Sequence, residues 1–576
     1  MKINQSAQLI LTGSILFSGC AGQSTKTEQP KGKPNILVIL ADDLGYSDLG
    51  CFGSEIQTPN INSLAENGVR FTQFYNSARC CPSRATLLTG IFPHQSGIGS
   101  FVGPDRGVPG YAGRLTSNTV TLAEVLQGNG YRTFGAGKWH VNKPGPTERG
   151  FEEFYGFLDD YGVDGWEPKW MHRFPEGREE RKYKEGEFFA TNVITDYALD
   201  FLKLSDQTPE KPWFLYLSFQ AVHFPLQAPK KDIEKYKDTY QVGWDTIRSR
   251  RYERMKKLGV IDENIQLSER SDIPLPEIAK RNQVPGDGIH NPPWNILDAD
   301  RQADLARRMA VYAGMLDNMD QNIGRVISYL KEKGELDNTL ILFMSDNGSC
   351  AEWEPFGFEY PDYNARVTGS TPNHPSVLHK GADLDLLGGP DGPLFSFGSG
   401  WANVGNTPFT LYKQFVHEGG ISSPLIIHWP AKIKESRLFT SRYAHFVDVM
   451  ATCVEVSGGN YPEIYKGNEI TPMEGISLFK TLDGDVDSER VLPFEHQGVP
   501  AIRKGDWKLV SRNRHSMTKT NFSDHPEFEL YNITDDRSET NNLAAKYPEK
   551  VKELKELMFQ EFNRTKVFPK PGSNED

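Results

Sequence analysis

Continuous apolar runs that end in polar motifs recur along the chain. Residues 35–41 read Asn-Ile-Leu-Val-Ile-Leu-Ala and stop at Asp42 and Asp43. An apolar run without alternation is typical of a strand that is buried on both faces of a parallel sheet. Further strands are predicted at residues 69–75 and 131–136, and the pattern of a buried strand followed by a polar motif recurs at 212–219 and 340–344. We therefore expect a buried sheet with functional groups where its strands end.

Predicted helices alternate with these strands. One helix ends at Gly68, and a short helix covers residues 121–127. The longest helix spans about 303–333, and its apolar face carries Met315, Met319, Ile323 and Val326. Strands that alternate with helices predict an α/β domain whose site lies along one edge of the sheet.

Three long segments show no clear periodicity. Residues 141–210 and 229–300 are dense in charge, proline and tyrosine, and residues 350–409 are rich in glycine and proline. Loops of this length in a compact protein are usually functional or disordered. We expect these segments to wall a pocket and to set its specificity.

The pattern changes near residue 455. Residues 501–510 and 528–533 are typical of antiparallel strands, and a helix follows from about Pro548 to Phe562 with Val551, Leu554 and Met558 on its apolar stripe. A chain of 576 residues is too long for one ordinary core. The sequence therefore predicts a large domain over 34–455 and a smaller α+β domain over 456–576.

The first residues are typical of a targeting segment. Lys2 precedes an apolar run from Leu9 to Phe17, which is far shorter than the roughly 20 residues that span a bilayer. Ser18-Gly19-Cys20 resembles a bacterial lipobox, in which the cysteine is lipidated. We expect a signal peptide over 1–19, a lipid on Cys20 and a tether over 20–33, with plain secretion as the alternative. The predicted location is the periplasm or the surface of a bacterial cell.

Composition narrows the class of protein. The net charge of −12 argues against a nucleic-acid-binding protein, which normally carries a basic stripe. Six cysteines in a chain of this length do not form a disulfide scaffold. Buried free thiols are expected for Cys51, Cys81, Cys350 and Cys453, although one bridge stays open in an oxidising compartment.

The most informative motif is Cys80-Cys81-Pro82-Ser83-Arg84, followed by Ala-Thr-Leu-Leu-Thr-Gly at 85–90. It resembles the signature of the type I sulfatases, in particular the bacterial arylsulfatase-like branch of the alkaline phosphatase superfamily. The resemblance covers residues 34–562 and implies a large mixed-sheet α/β/α domain followed by a small domain of antiparallel sheet and helix. Cys81 departs from the small polar residue that is common there, but Pro82 and Arg84 are in register with Cys80.

This resemblance implies a chemical change at Cys80. In the family, a formylglycine-generating maturase recognises the motif and oxidises its first cysteine to formylglycine. The aldehyde hydrates to a gem-diol, which is a nucleophile that no encoded side chain supplies. Sulfate ester hydrolysis, on an aryl sulfate or a sulfated carbohydrate, is the implied reaction.

Oxygen ligands stand at two of the predicted strand ends. Asp42 and Asp43 follow the first strand, and Asp346 and Asn347 follow a late one. These hard oxygen donors suit Ca²⁺ or Mg²⁺ rather than zinc. An Asp-Asp pair by itself is more often a helix cap or a turn. The family resemblance implies one divalent cation, Ca²⁺ in preference to Mg²⁺, with the formylglycine of residue 80 completing its shell.

Cationic residues recur at the same predicted edge. Arg84 lies four residues after Cys80, on the same helix face, and Lys138 and His140 alternate at a strand end and should project to one side. His223 ends another strand, and Lys413 precedes the His-Glu-Gly-Gly run at 417–420. Each of these residues alone is more often a surface charge or a core histidine. Together, preorganised cations would stabilise the charge of a reacting sulfate ester.

The family implies a role for each of these residues. Lys138, His223 and Lys413 would hold the sulfate, and His223 or Lys413 would protonate the departing alcohol. Arg84 would orient the diol, and His140 would deprotonate its second hydroxyl to release sulfate. His417 and His496 are further candidates for contact with the substrate.

Two other functions compete with this interpretation. A phosphonate monoester or phosphodiester hydrolase of the same superfamily would share the aspartates of the metal site, but the Lys138-x-His140 pair favours sulfate. A catalytically dead lipoprotein that binds sulfated glycan is the second alternative. The presence of every predicted catalytic residue argues against it.

Overall fold

This computed structural model describes Met1 and residues 32–158, 163–352, 355–360, 377–485, 487–512 and 527–571. The described residues from Lys33 onwards form one compact unit. Residues 2–31 lie outside the described residues, so the signal peptide, the lipid on Cys20 and the tether stay predictions. No described helix is both long and apolar enough to cross a membrane.

The secondary structure alternates strands and helices, as the hydrophobic pattern predicts. The strands are β1 (Asn35–Ala41), β2 (Val69–Tyr75), β3 (Arg132–Lys138), β4 (Glu153–Phe157), β5 (His172–Phe174), β6 (Trp213–Ser218), β7 (Thr339–Ser345), β8 (Glu359–Tyr360), β9 (Leu394–Phe395), β10 (Ser422–His428), β11 (Arg437–Phe439), β12 (Ala444–His445), β13 (Ile464–Tyr465), β14 (Asn468–Glu469), β15 (Val491–His496), β16 (Val499–Lys504), β17 (Trp507–Ser511) and β18 (Phe528–Asn532). The α-helices are α1 (Pro59–Glu66), α2 (Cys80–Thr89), α3 (Leu122–Gly128), α4 (Ala190–Ser205), α5 (Lys230–Ile233), α6 (Trp244–Lys257), α7 (Pro276–Arg281), α8 (Ala299–Glu332), α9 (Gly398–Gly405), α10 (Glu418–Ile421), α11 (Val447–Ser457), α12 (Leu478–Asp483) and α13 (Pro548–Arg564).

The large sheet is mixed. Its strand order is β11-β2-β10-β7-β1-β6-β3-β4-β5, with β12 also paired to β2. Strands β7, β1, β6, β3 and β4 are parallel to one another, whereas β10 is antiparallel to both β7 and β2. Because two antiparallel pairings restore the direction, β2 ends at the same edge as β1. This arrangement confirms the predicted mixed α/β sheet.

Alternate side chains of β1 show why its apolar run is continuous. Ile36, Val38 and Leu40 pack into the core on one face of the sheet, together with residues of α2, α3 and α11. Their neighbours Leu37 and Ile39 pack into the core on the other face, with residues of α4 and α8. A strand covered on both sides has no face that tolerates polar residues. The result is a three-layer α/β/α domain.

The prediction of long loops over 141–210 and 229–300 is wrong in part. Helix α4 lies in the first of these segments and α6 in the second. The apolar side of α4 carries Val193, Tyr197 and Phe201, which are buried at a spacing of four residues. That helical period is present in the sequence, but the surrounding charge and proline residues mask it.

A small antiparallel sheet follows in the order β15-β16-β17-β18. Helix α13 covers it, packing Leu554, Met558 and Phe562 against Ile502 and Leu509. The predicted α+β arrangement of antiparallel strands and one helix is therefore confirmed. The boundary near residue 455 stays a prediction.

A buried ion-pair network joins the small sheet to the edge of the large one. Glu418, the first residue of α10, accepts hydrogen bonds from Tyr75 of β2 and from Lys508 of β17, both at 3.0 Å. Arg537 approaches its other side at 3.3 Å. Lys508 also lies 2.8 Å from Glu539. The carboxylate of Glu418 therefore holds together groups that are far apart in the sequence.

Removing this charge should destabilise the protein. Glu418→Gln leaves Arg537 buried without its carboxylate partner and leaves Lys508 with Glu539 alone. We therefore expect the free energy of unfolding to fall by roughly 3 kcal/mol. Urea unfolding followed by circular dichroism measures the change. Glu553→Gln is the matched control, because Glu553 pairs with Lys550 at 2.6 Å on the exposed side of α13 and should contribute only about 0–1 kcal/mol.

The same variant should also reveal a dependence on pH. Burial opposes ionisation of Glu418, but Lys508 and Arg537 outweigh it and lower its pKa to about 2. A carboxylate with a lowered pKa stabilises the folded state fully above its unfolded pKa and loses that effect as pH falls towards its folded value. The stability difference between wild type and Glu418→Gln should therefore shrink from about pH 4.3 towards about pH 2. A constant difference over this range would contradict the assignment.

Candidate active site

Neighbouring parallel strands bring the predicted site residues to one edge of the large sheet. Asp42 and Asp43 directly follow β1, and Asp346 directly follows β7 beside it. Lys138 is the last residue of β3, and β6 lies between β3 and β1. Because these strands are parallel, their carboxyl ends converge, and the charged residues that follow them form one buried cluster.

Arg84 lies at the centre of this cluster. Its Nη2 is 2.7 Å from an Asp346 oxygen and 3.6 Å from an Asp42 oxygen. Its Nη1 donates to the Ser218 hydroxyl at 2.5 Å and to the Lys138 carbonyl at 3.1 Å. Burial alone would lower the pKa of Arg84, but Asp346 and Asp42 raise it. The planar guanidinium thus stays charged and fixes four strand ends relative to one another.

The two aspartates that follow β1 have different cationic partners. Lys138 Nζ lies 2.6 Å from Asp42 Oδ2, and Lys413 Nζ lies 2.9 Å from Asp43 Oδ1. His223 Nε2 lies 3.5 Å from the other oxygen of Asp43. The Nδ1 of His223 is 2.5 Å from the carbonyl oxygen of Phe224. In the neutral ring Nδ1–H donates to that carbonyl, so Nε2 faces the site as an acceptor.

Close backbone packing places the Lys413 loop against the end of β7. A Cβ on Gly348 would lie 1.8 Å from the carbonyl oxygen of Gly419. The nitrogen of Gly348 donates to the carbonyl of Gly420 at 3.1 Å, and the nitrogen of Lys413 donates to Ser349 at 3.2 Å. Because Gly348 and Gly419 have no side chains, the two backbone segments can pack this closely. This packing brings the Lys413 ammonium to Asp43.

The carboxyl groups are crowded enough to favour a further cation. Burial raises the pKa of Asp43 to about 6, despite Lys413. Burial, followed by the charge of Asp42, raises the pKa of Asp346 well above its ordinary value. Such shifts show that the ionised forms lack full compensation from the described side chains.

The oxygen atoms fit a hard divalent cation. Asp42 Oδ1 and Asn347 Oδ1 are buried and have no hydrogen-bond partner among the described residues. Asn347 Nδ2 donates to Asp43 Oδ1 at 2.7 Å, which turns its carbonyl oxygen away from that group. Ligand atoms of Asp42, Asp43 and His223 lie within 4.8 Å of one another. Carboxylate and amide oxygens in this arrangement suit Ca²⁺ or Mg²⁺.

Cys80 is the first residue of α2 and is buried beside the cations. Burial would raise the pKa of its thiol, but a hydrogen bond from Cys81 and the charges of His140 and Lys138 lower it well below the ordinary value. Ligand atoms of Cys80, Cys81 and His140 lie within 4.8 Å of one another. The site therefore stabilises negative charge on the side chain of residue 80.

His140 reaches this position by a different route from the predicted one. Strand β3 ends at Lys138, and His140 adopts a left-handed backbone with φ of +53°. The expectation that Lys138 and His140 project to one side by strand alternation is therefore wrong. A turn in the chain brings His140 to Cys80. Burial lowers the pKa of His140, so its neutral ring can accept a proton.

Several residues of the site have no signal in the sequence. Glu352 is buried, and its Oε1 lies 3.2 Å from both Arg79 and Gln414 and 3.5 Å from Lys413. Glu352 belongs to the segment that is rich in glycine and proline, where no motif or period distinguishes one acid from another. Ser218, the hydroxyl partner of Arg84, ends an apolar strand and is equally unmarked.

The two remaining histidine candidates differ in their surroundings. His417 Nε2 lies 2.9 Å from Glu529 of β18, so it contacts the small sheet. His496, at the end of β15, is fully buried, and neither ring nitrogen has a hydrogen-bond partner among the described residues. Burial, followed by the charge of Arg79, lowers its pKa to about 3. His417 Nδ1 also lacks a hydrogen-bond partner among the described residues. His496 is the better candidate because it feels the charges of Arg79 and Cys80, whereas His417 is paired with Glu529.

The four described cysteines other than Cys80 are buried free thiols, as the sequence predicts. Cys51, Cys81, Cys350 and Cys453 are all buried and free. Cys350 lies 4.0 Å from the Lys413 ammonium, and burial raises its pKa well above the ordinary value. These four residues are therefore protonated thiols and form no bridge with one another.

A mixed sheet with buried oxygen ligands and cations at its carboxyl edge is typical of an α/β enzyme that binds its ligand where the strands end. Comparison with known proteins narrows this class. The family model named Sulfatase matches residues 34–459. An uncharacterised sulfatase of Schizosaccharomyces pombe is 35% identical over 91% of this chain and 92% of its own length. An arylsulfatase of Klebsiella aerogenes is 32% identical over 83% of this chain and 96% of its own length.

Solved structures share the fold. The crystal structure of Ps i-CgsB in complex with k-i-k-neocarrahexaose superposes with a TM-score of 0.60 at 23% identity, over 94% of this chain and 95% of that one. The chain belongs to the sulfatase family, the type I sulfatases of the alkaline phosphatase superfamily. It is a sulfuric ester hydrolase.

Proposed function

We propose that this protein cleaves the S–O bond of sulfate esters with a formylglycine derived from Cys80. The supporting observation is the position of Cys80, which begins α2 in a buried pocket where His140, Lys138 and Lys413 all favour an anion on its side chain. A hydrated formylglycine would supply two hydroxyls on one carbon. One would accept the sulfuryl group, and deprotonation of the other would release it.

Other described side chains would bind the sulfate and protonate the leaving group. Lys138, Lys413 and His223 would bind the sulfate oxygens and stabilise the charge that spreads over them in the transition state. His223 or Lys413 would give a proton to the departing alcohol. His223 must first gain that proton, because Lys413 and burial keep its ring neutral in the free site.

Two further residues would act on residue 80 itself. Arg84 is held by Asp346 and Ser218, so it can orient the hydroxyls and support the negative charge that develops on them. His140 is neutral and adjacent, so it can remove the proton of the second hydroxyl and expel sulfate. His496 is proposed as an additional contact for the substrate.

We also propose that Asp42, Asp43, Asp346 and Asn347, together with residue 80, hold one Ca²⁺ in preference to Mg²⁺. The orphaned oxygens of Asp42 and Asn347 support this assignment. When bound, the cation would neutralise the crowded carboxylates and polarise an oxygen of residue 80 or of the sulfate. Ca²⁺ is favoured because it tolerates the irregular, all-oxygen shells in which Mg²⁺ binds poorly.

Chelation tests this metal assignment. Dialysis against EGTA should abolish turnover of an aryl sulfate and lower the melting temperature. The carboxylates then repel one another with only partial compensation from Arg84, Lys138 and Lys413. Adding Ca²⁺ should restore both properties, and Mg²⁺ should restore them less well. Full activity and an unchanged melting temperature in EGTA, with no metal found by elemental analysis, would refute it.

Sulfated carbohydrate is the proposed natural substrate, with aryl sulfate as a simpler alternative. A structural neighbour crystallised with a neocarrahexaose supports the carbohydrate class. The proposed partners are the maturase that modifies Cys80 and, through a lipid on Cys20, a bacterial membrane; no nucleic acid is expected. Export to the periplasm or the cell surface would place the enzyme where such polymers occur.

Relative rates on matched esters test the reaction itself. We expect kcat/KM for an aryl sulfate to exceed that for the phosphodiester with the same leaving group. A sulfate ester presents three terminal oxygens to Lys138, Lys413 and His223, whereas a phosphodiester presents two and carries a second ester group. Faster turnover of the phosphodiester would favour the alternative hydrolase. No turnover of either ester by protein that carries the aldehyde would favour the alternative of a catalytically dead glycan-binding protein.

A further inference from the structure

A cavity of about 230 Å³ opens on the side of the protein where the large sheet meets the small one. It lies between β2, the segment 260–265, the loop after β11 and the turn between β16 and β17. None of the strand-end cluster lines it. Its floor consists of the buried residues Tyr443, Arg503, Ile533 and Arg537, and its rim carries the exposed residues Asp262, Ser441, Ser488 and Thr534.

Arg503 is the central group of the floor. Arg503 is only 3% exposed. No carboxylate of the described residues lies within the 4.0 Å ion-pair distance of its guanidinium. Nε donates to the Gly505 carbonyl at 3.1 Å, and Nη1 donates to the Tyr75 hydroxyl. Nη2 donates to no residue in the described part of the chain. Glu418 supplies an indirect counter-charge, because it accepts from the same Tyr75 hydroxyl at 3.0 Å, but its charge is shared with Lys508 and Arg537. A buried cation without a carboxylate in direct contact favours an anion in the space beside it.

The orientation of this guanidinium is fixed. Its Cζ lies 3.9 Å from the centroid of the Tyr443 ring, so the two groups stack. The Tyr443 hydroxyl accepts a hydrogen bond from the Gly505 nitrogen at 3.1 Å, which holds the ring in place. A stacked, immobilised arginine is typical of sites that recognise planar or tetrahedral oxyanions.

The other arginines of the cavity divide into two kinds. Arg537 is neutralised by Glu418 at 3.3 Å. Arg442 is half-buried at the rim and has no ion-pair partner among the described residues. Two guanidinium groups, those of Arg442 and Arg503, therefore face this space without a carboxylate.

Acidic side chains do not cancel this charge. The carboxylates that line the cavity are Asp262 and Asp506, and both residues are exposed at the rim, where water and salt screen them. Asp506 already accepts a hydrogen bond from the Thr534 hydroxyl at 2.6 Å. Glu489 also lies close to Gly505, at the edge of this space. The donors that an anion would meet at the floor are therefore those of Arg503 and Arg442.

We propose that this cavity is a second sulfate-binding site, distinct from the catalytic cluster. Arg503 Nη2 and Arg442 donate to the sulfate oxygens, and the hydroxyls of Ser441 and Ser488 complete the rim. The volume is smaller than the roughly 300–1,000 Å³ of sites for larger ligands, so it suits one sulfate group, with at most one sugar unit. Two sources share this chemistry: inorganic sulfate and a sulfate ester on a glycan. The proposal does not depend on the formylglycine mechanism.

Crystals of the full chain soaked in selenate give a direct test. Selenium scatters anomalously and selenate has the shape and charge of sulfate, so we expect a peak within hydrogen-bonding distance of Arg503 and Arg442. Anomalous density at the strand-end cluster alone would overturn the proposal.

Calorimetry with Arg442→Gln separates the two sources. Arg442 touches no catalytic residue, so turnover of an aryl sulfate in sulfate-free buffer should be unchanged. The affinity of the cavity for sulfate should fall about tenfold or more in Arg442→Gln, the usual effect of losing a charged hydrogen bond. Asp262→Asn removes a negative charge from the rim and should raise this affinity.

A tenfold loss for sodium sulfate assigns the site to the inorganic ion. The same loss for a sulfated monosaccharide alone assigns it to the glycan. Equal affinities of wild type and Arg442→Gln for both ligands would overturn the proposal.

Discussion

Cys80→Ala protein should lose aryl sulfatase activity by about 10⁵-fold or more, the scale seen when a covalent nucleophile is removed. Alanine offers no atom that can accept the sulfuryl group, whereas the surrounding cations and aspartates remain in place. Turnover of an aryl sulfate measures this loss. Peptide mass spectrometry across residues 70–90 of the wild type, after expression with a maturase, should find an aldehyde at residue 80.

Cys81→Ala is the matched control for this variant. Its thiol is also buried at the start of α2, but Pro82 and Arg84 are in register with Cys80, so modification at residue 80 should persist. We expect most of the activity to remain, with a small loss of stability from the missing thiol. Active wild-type protein with an unaltered Cys80 thiol would refute the formylglycine mechanism.

The serine variant separates the two halves of the reaction. Cys80→Ser has one hydroxyl instead of two, so it can accept a sulfuryl group but has no second hydroxyl for His140 to deprotonate. We expect a sulfated serine that persists and is detected by its mass. Rapid multiple turnover by this variant would show that the second hydroxyl is unnecessary.

Lys413→Met should lower kcat for an aryl sulfate by about 10²–10³-fold, the usual effect of removing one preorganised group that stabilises transition-state charge. Methionine preserves the length and the packing of the buried lysine but removes its charge. Asp43 then loses its ion pair at 2.9 Å but stays in place as a proposed metal ligand, whereas a bound sulfate loses a cation. Steady-state kinetics measures the change.

Lys432→Met provides the control for Lys413→Met. Lys432 pairs loosely with Glu455 at 3.9 Å, and its side chain is 46% exposed, so its loss should leave kcat unchanged. Peptide mass spectrometry must show the same extent of modification at residue 80 in both variants. If kcat of Lys413→Met then equals that of Lys432→Met, Lys413 has no part in the chemistry.

Much of the fold could be predicted from local patterns. The apolar runs of β1 and β7 have no polar position in their interior because both faces of the sheet are covered. A strand buried on both faces can therefore be recognised from the sequence alone. Helix α8 was equally clear, since its apolar face repeats over many turns. Helix α4 was missed because charged neighbours obscure its period, and only its packing against the sheet reveals it.

The convergence of polar residues at the strand ends is predictable for a related reason. Parallel strands place their carboxyl ends at one edge, so polar motifs that follow apolar runs must converge even when they are 300 residues apart. Asp42, Asp43, Asp346 and Asn347 were found in this way, and the motif at Cys80 supplied the chemistry. Their roles in catalysis remain predictions for the experiments above.

Tertiary structure alone decided the rest. Glu352 beside Lys413, Ser218 beside Arg84 and the left-handed turn at His140 depend on how loops fold back onto the edge, and loop paths leave no period in the sequence. The cavity around Arg503 arises where two sheets meet, so no single segment encodes it. A sequence determines which residues end a buried strand, because burial restricts residue type. Packing decides which distant groups then come into contact. A contact depends on two surfaces together, and neither segment encodes it alone.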